Sequence, residues 1–175
     1  MIKYLNAHIR IAKLEDAKAI ALVHICSWQK MYREFIPEVI LKNLSLQERT
    51  QQWAELIKQD MDVLVIEINE RIVGFASVCQ FRDQHIDRSM GEISAIYIHP
   101  DNWRMGFGRQ LCLAAIAELT KQHYKTIGLW VLVANIQARQ FYDALGFEAT
   151  SVTKLEEFYE GGALLQEILY RKSLS

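Results

Sequence analysis

Proline is almost missing from this chain: Pro37 and Pro100 are the only two in 175 residues. Nearly every segment is therefore free to form helix or strand. Charge of one sign is not in excess either, with 20 Lys plus Arg against 21 Asp plus Glu and a net charge of −1. That balance provides no bulk basic field for nucleic acid or an anionic membrane surface. Cysteine is sparse. Cys26, Cys79 and Cys112 stand 53 and 33 residues apart, with no C-x-x-C pair. An odd number of cysteines in apolar stretches reads as buried free thiols of a reducing compartment. The five histidines show no H-E-x-x-H and no Cys/His ligand spacing, so no metal is expected. No window approaches ~18 consecutive apolar residues, and residues 1–6 lack the apolar core of a signal peptide. A soluble cytoplasmic protein is expected, with neither nucleic acid nor membrane as partner.

What is present is ordinary globular material, 51% hydrophobic and 23% charged, which excludes global disorder. At ~100–200 residues per domain the length allows one domain; we expect residues 1–7 to be an N-terminal extension and 8–175 the domain. Residues 8–12 alternate as a short strand. A helix is expected from about Glu15, with Ala17, Ile20, Ala21, His24, Trp28, Met31, Tyr32 and Phe35 on one face, and Pro37 ending it. Ser45-Leu46-Gln47-Glu48 has the form of a capping box and opens a second helix. Residues 62–68 and 72–80 are β-branched runs joined by a short connection, a predicted hairpin. Residues 82–90 read as a loop and 91–99 as a strand closed by Pro100. A glycine-containing turn leads into a helix over 106–123. The apolar run 126–134 suits a strand buried on both faces. Asn135 can cap a helix over 136–145, with Gly146 at its C′ position. Two strands, about 147–155 and 163–171, follow. The order βααββ–βαβαββ describes a mixed α/β sheet with helices on its faces.

Two segments carry chemistry. The first, residues 100–109 (PDNWRMGFGR), follows a strand and opens a helix. Free N–H groups and about +0.5 of a charge at a helix N-terminus suit a phosphate. Gly106 and Gly108 let a pyrophosphate approach the backbone, and Arg104 and Arg109 outweigh Asp101 locally. A dinucleotide fingerprint is not completed, because Leu111 takes its third glycine position and Asn135 stands where an acid would hold ribose. No G-K-[ST] follows, so a P-loop fails as well. Tight packing of the turn remains the structural alternative.

The second segment is residues 129–147, LWVLVANIQARQFYDALGF. Together the two resemble the GNAT superfamily of acyl-CoA-dependent N-acetyltransferases. The family's anion turn reads Gln/Arg-x-x-Gly-x-Gly/Ala. Its next strand and helix match Leu129, Val131, Asn135, Ala138, Phe141, Tyr142, Gly146 and Phe147 at the family spacing. One position departs: Trp103 stands at the usual Gln/Arg. The resemblance implies a single α/β domain, with a mixed, mostly antiparallel sheet and helices on both faces.

It also implies acetyl-CoA as co-substrate, held by Arg104, Met105, Gly106, Phe107, Gly108 and Arg109 at the pyrophosphate. The backbone of Ile96, Tyr97 and Ile98 would lie along the pantetheine, with Asn135, Ala138 and Tyr142 nearer the sulfur. Tyr142 would donate a proton to the departing thiolate, and Glu92 would accept one from the amine through water. Trp28, Tyr32 and Phe35 would face the acceptor amine, small molecule or peptide. Across from them, Glu156, Glu157 and Glu160 would suit a cationic amine or merely solvate a hairpin tip. No cysteine falls on a motif position, so direct transfer in a ternary complex is expected. A non-catalytic acyl-CoA sensor or interaction module is the alternative from another class, and exposed strands leave a homodimer open.

Overall fold

Nearly continuous buried apolar runs form the first hairpin. A computed structural model of the protein describes residues 7–83, 85–87 and 89–174. Strand β1 (Ala7–Ile11) pairs antiparallel with β2 (Asp62–Ile68), and β2 with β3 (Arg71–Gln80). Ala7 thus begins a strand; the rest of the expected N-terminal extension, 1–6, lies outside the described residues. Asn69 and Glu70 turn the β2–β3 hairpin with φ of 50° and 62°, the two-residue geometry that matches strand twist. The remaining elements are α1 (Ala17–Met31), α2 (Glu38–Lys42), α3 (Leu46–Lys58), β4 (Gly91–Ile98), α4 (Phe107–Lys121), β5 (Thr126–Leu132), α5 (Ile136–Ala144), β6 (Glu148–Glu157) and β7 (Leu164–Ser173). The sheet runs β1-β2-β3-β4-β5-β7-β6, with β4–β5 its parallel pair.

Two differences from the sequence reading have plain causes. Helix α1 starts at Ala17, not Glu15, because residues 14–16 form a 3-10 turn. There Asp16 is buried and takes a two-pronged bond from Arg10, which also binds Glu67. The same helix ends at Met31 rather than Phe35, and a short α2 follows Pro37. Tyr32 keeps the helical face buried because the chain coils once more, with Phe35 and Ile36 N–H both donating to its carbonyl.

The described residues fall into two compact units: those of 7–78 with Ala95–Ala115, and those of Cys79–Ser94 with 116–174. In the first, α1 and α3 pack over Val63, Val65 and Phe75, with Ser45 capping α3 by accepting from Glu48 N–H at 3.2 Å. In the second, Phe81, Met90 and Leu169 form the core with Trp130 and Val152 against it. All three cysteines are free, but only Cys112 is fully buried; Cys26 and Cys79 are half-buried. Burial pushes both of those thiols up, away from the reactive thiolate form.

A buried histidine sits in the first unit. His24 is enclosed by the rings of Trp28, Trp53, Phe75 and Tyr97, and its Nδ1 accepts from Trp53 Nε1 at 3.1 Å. Burial, and secondarily Arg49, lowers its pKa from 6.5 to about 3. The unfolded chain binds a proton below 6.5 that the folded chain refuses. Stability is therefore complete above that pH and is lost on acidification. Urea unfolding is expected to show a loss of about 1.4 kcal/mol per pH unit between about pH 6 and pH 4. His24→Gln, whose amide oxygen can still accept from Trp53, should remove that slope; an unchanged slope would assign it to other groups.

Candidate active site

The anion turn belongs to the first unit. His99 caps a 3-10 turn over Pro100–Asn102 with Nδ1, 3.3 Å from Asp101 N. Arg104 and Gly106 then take left-handed φ of 62° and 81°, and α4 begins at Phe107. Such values are rare outside glycine, and a Cβ built at Gly106 meets nothing within 4 Å. The first helical bond runs from Gln110 N–H to the Gly106 carbonyl. Among the described residues, no backbone acceptor meets the N–H groups of Phe107, Gly108 and Arg109. Phe107 is buried and anchors the turn, while Arg104, Met105, Gly106 and Arg109 are exposed. Neither arginine makes an ion pair among the described residues. Unsatisfied amides, an open glycine and two unpaired guanidinium groups fit a diphosphate.

Trp103 has a structural task. Its Nε1 donates to the Ile98 carbonyl at 2.6 Å, and this braces the turn against the end of β4. The Ser27 hydroxyl donates to the same carbonyl at 2.9 Å. Strand β4 pairs with β5 at Gly91 and Glu92, and Ile96, Tyr97 and Ile98 form its C-terminal end. Strand β4 also carries an extra residue. Phe81 N–H bonds to the Met90 carbonyl and His99 N–H to the Val73 carbonyl. Between those bonds β3 advances eight residues and β4 nine, which is a bulge.

The aromatic residues expected at the acceptor side are partly assembled. Trp28 and Tyr32 meet edge to face at 5.0 Å, and Trp28 Nε1 donates to the Tyr97 hydroxyl at 3.1 Å. Phe35 stands apart in the turn after α1, half-buried.

In the second unit Asn135 caps α5 as expected, its Oδ1 accepting from Ala138 N–H at 3.1 Å. Its amide nitrogen keeps two donors for other use. Tyr142 is 8% exposed, its ring packed edge-on to Phe141 and Phe147. Gly146, with φ of 78°, ends the helix at the predicted position.

Glu92 is not a solvated strand end. Its side chain is 2% exposed and is clamped by Arg82. The Arg82 backbone N–H and Nε reach Oε2 at 2.9 and 3.1 Å, and Nη2 reaches Oε1 at 2.8 Å. Arg82 begins the stretch read as a polar loop, and nothing local in the sequence marks it as a partner. At the hairpin tip, Glu156 pairs with Lys154 at 3.2 Å and Glu157 accepts from Gly161 N–H. Two of the three tip carboxylates therefore have partners within the hairpin.

Among the described residues no helix is long and apolar enough to cross a membrane, and no group of His, Cys, Asp and Glu could hold a metal ion.

Comparison with known proteins gives concordant matches. The sequence profile of the Acetyltransferase (GNAT) family matches residues 27–147. The uncharacterized N-acetyltransferase YuaI of Bacillus subtilis (strain 168) is 34% identical over 161 residues, 91% of this chain and 89% of its own. An N-acetyltransferase from Staphylococcus aureus Mu50 shares the fold with a TM-score of 0.74 at 22% identity, covering 97% of this chain and 99% of its own. The yncA protein of Salmonella typhimurium, a putative acetyltransferase solved with its cofactor acetyl-CoA, matches with a TM-score of 0.73 at 20% identity. It covers 97% of this chain and 95% of its own.

Proposed function

Because the chain belongs to the acetyltransferase (GNAT) family, we propose that it moves an acetyl group from acetyl-CoA to a primary amine of a small molecule or peptide. Residues 8–175 act as one N-acetyltransferase domain, by direct transfer with both substrates bound. The observation that carries this reading is the turn at Arg104–Arg109, whose unpaired amides and arginines suit the pyrophosphate of the nucleotide. The Salmonella neighbour bound to acetyl-CoA supports the choice of nucleotide.

Acetyl-CoA supplies the acetyl thioester; the chain supplies donors and acceptors around it. An alkyl amine of pKa ~10.4 is mostly protonated at neutral pH and must lose a proton before it attacks. Glu92 takes that proton through a water. An ionised carboxylate offers about four lone-pair sites, and Arg82 uses three of them. The backbone of Ile96, Tyr97 and Ile98 pairs with the pantetheine arm like an added strand, and its amides polarise the carbonyl oxygen as the C–N bond forms and negative charge gathers there. Tyr142 donates a proton to sulfur as the C–S bond breaks, and Asn135 holds the arm near the sulfur with its free amide donors. Trp28, Tyr32 and Phe35 face the acceptor.

Release of free thiol from acetyl-CoA across a panel of amines tests the proposal. Release above the rate of hydrolysis with at least one amine is expected. Tight acetyl-CoA binding with no amine turned over would instead make the protein an acyl-CoA-binding module.

A further inference from the structure

Two half-buried arginines of this protein have polar partners. Arg10 binds Asp16 and Glu67, and Arg139 donates to the Tyr170 hydroxyl and the Val133 carbonyl. Arg49, on α3, is half-buried and lacks such a partner, as does Arg171, whose buried Nε is unsatisfied. Among the described residues no carboxylate lies within ion-pair distance of Arg49, and no side-chain hydrogen bond engages its guanidinium. What it touches is an aromatic face: its guanidinium carbon sits 5.5 Å from the centre of the Trp28 ring. Desolvation lowers its pKa, the cost of a charge held partly out of water, and the more distant Tyr97 and Glu48 offset this only in part. A cation over an indole recovers part of that cost. It leaves the guanidinium's five N–H donors without an acceptor.

The position of this charge gives it a use. Trp28 is the wall between Arg49 and the Tyr97 hydroxyl, and Tyr97 lies on the part of β4 proposed to hold the acetyl carbonyl. We infer that Arg49 is the receptor for a carboxylate on the acceptor, so that the natural acceptor is an amino acid or a related amine bearing an acid group. This rests on the acetyltransferase reading and narrows its acceptor class. A planar guanidinium fixed against an aromatic face can take a carboxylate with two parallel hydrogen bonds. The same charge repels a simple polyamine, which has cations and no acid. That runs against the cationic acceptor suggested by the hairpin acids, two of which have internal partners.

The test separates binding from turnover. Tryptophan fluorescence would follow binding of matched pairs to the protein loaded with CoA: N-acetyl amino acids and their carboxamides, with small, aliphatic and aromatic side chains. At least one carboxylate member is expected to bind about tenfold to a hundredfold more tightly than its carboxamide. Arg49→Met, which keeps an apolar stem over Trp28, should erase that ratio, whereas Arg49→Lys should keep part of it. No preference in any pair, or a preference that survives in R49M, overturns the inference. Thiol release with the corresponding free amines reads the enzyme assignment separately. A carboxylate preference without turnover would sink the transferase reading and leave the Arg49 site standing; turnover without preference would do the reverse.

Discussion

Tyr142→Phe is expected to lower kcat by about a hundredfold while KM for acetyl-CoA changes by less than about threefold. The magnitude is what makes the result informative. Deleting one ordinary hydrogen bond removes about 1 kcal/mol, roughly fivefold in rate. Removing a positioned general acid costs roughly 10²–10⁴-fold. The substitution keeps the ring, which packs against Phe141, Phe147 and Tyr170, so the fold should survive with a melting midpoint within a few degrees of the parent. Steady-state kinetics with a saturating amine would measure it. A kcat within fivefold of the parent would leave Tyr142 as a packing residue, with the thiolate protonated by solvent.

The second large effect belongs to the anion turn. Gly106→Asp should weaken acetyl-CoA binding by about a hundredfold, and Gly106→Asn by roughly tenfold at most. Two costs separate in this pair. Any side chain at φ of 81° carries strain, though Asn and Asp tolerate that region better than other residues, so the penalty is about 1 kcal/mol. Only Asp adds a like charge beside the diphosphate. Because the turn is exposed, that part is screened, and the gap between the two variants should narrow as salt rises. A Cβ at this position would stand in open space, so the free protein should fold normally in both cases. Isothermal titration with acetyl-CoA at two ionic strengths would check it. Unchanged affinity in G106D would place the diphosphate elsewhere.

Local chemistry was legible in the sequence where a residue's task lies within a few positions of it. Ser45, Asn135 and Gly146 all act at helix ends, and each stands where its residue type predicts. The β2 strand was readable to the residue because Val63–Ile66 is an unbroken buried run. The end of α1 was not, because Tyr32 and Ile36 stay buried in the coil after the helix and continue its apolar spacing. The features that bring side chains together from distant positions were also hidden. Arg82 and Glu92 are joined across a loop, Trp103 reaches back to Ile98, and Arg49 meets Trp28 from another helix. The extra residue in β4 is defined only by the count along the neighbouring strand.

The strand order of the second unit has a consequence for how the chain is made. Strand β7 lies between β5 and β6, although it follows both along the chain. It pairs with β5 over Thr126–Leu132 and with β6 over Glu148–Glu157. Until residues 164–173 have left the ribosome, β5 has no antiparallel neighbour, and its apolar run stays an open edge for tens of residues of synthesis. At roughly 5–20 residues per second, that is a wait of a few seconds during which β5 is available to chaperones or to other nascent chains.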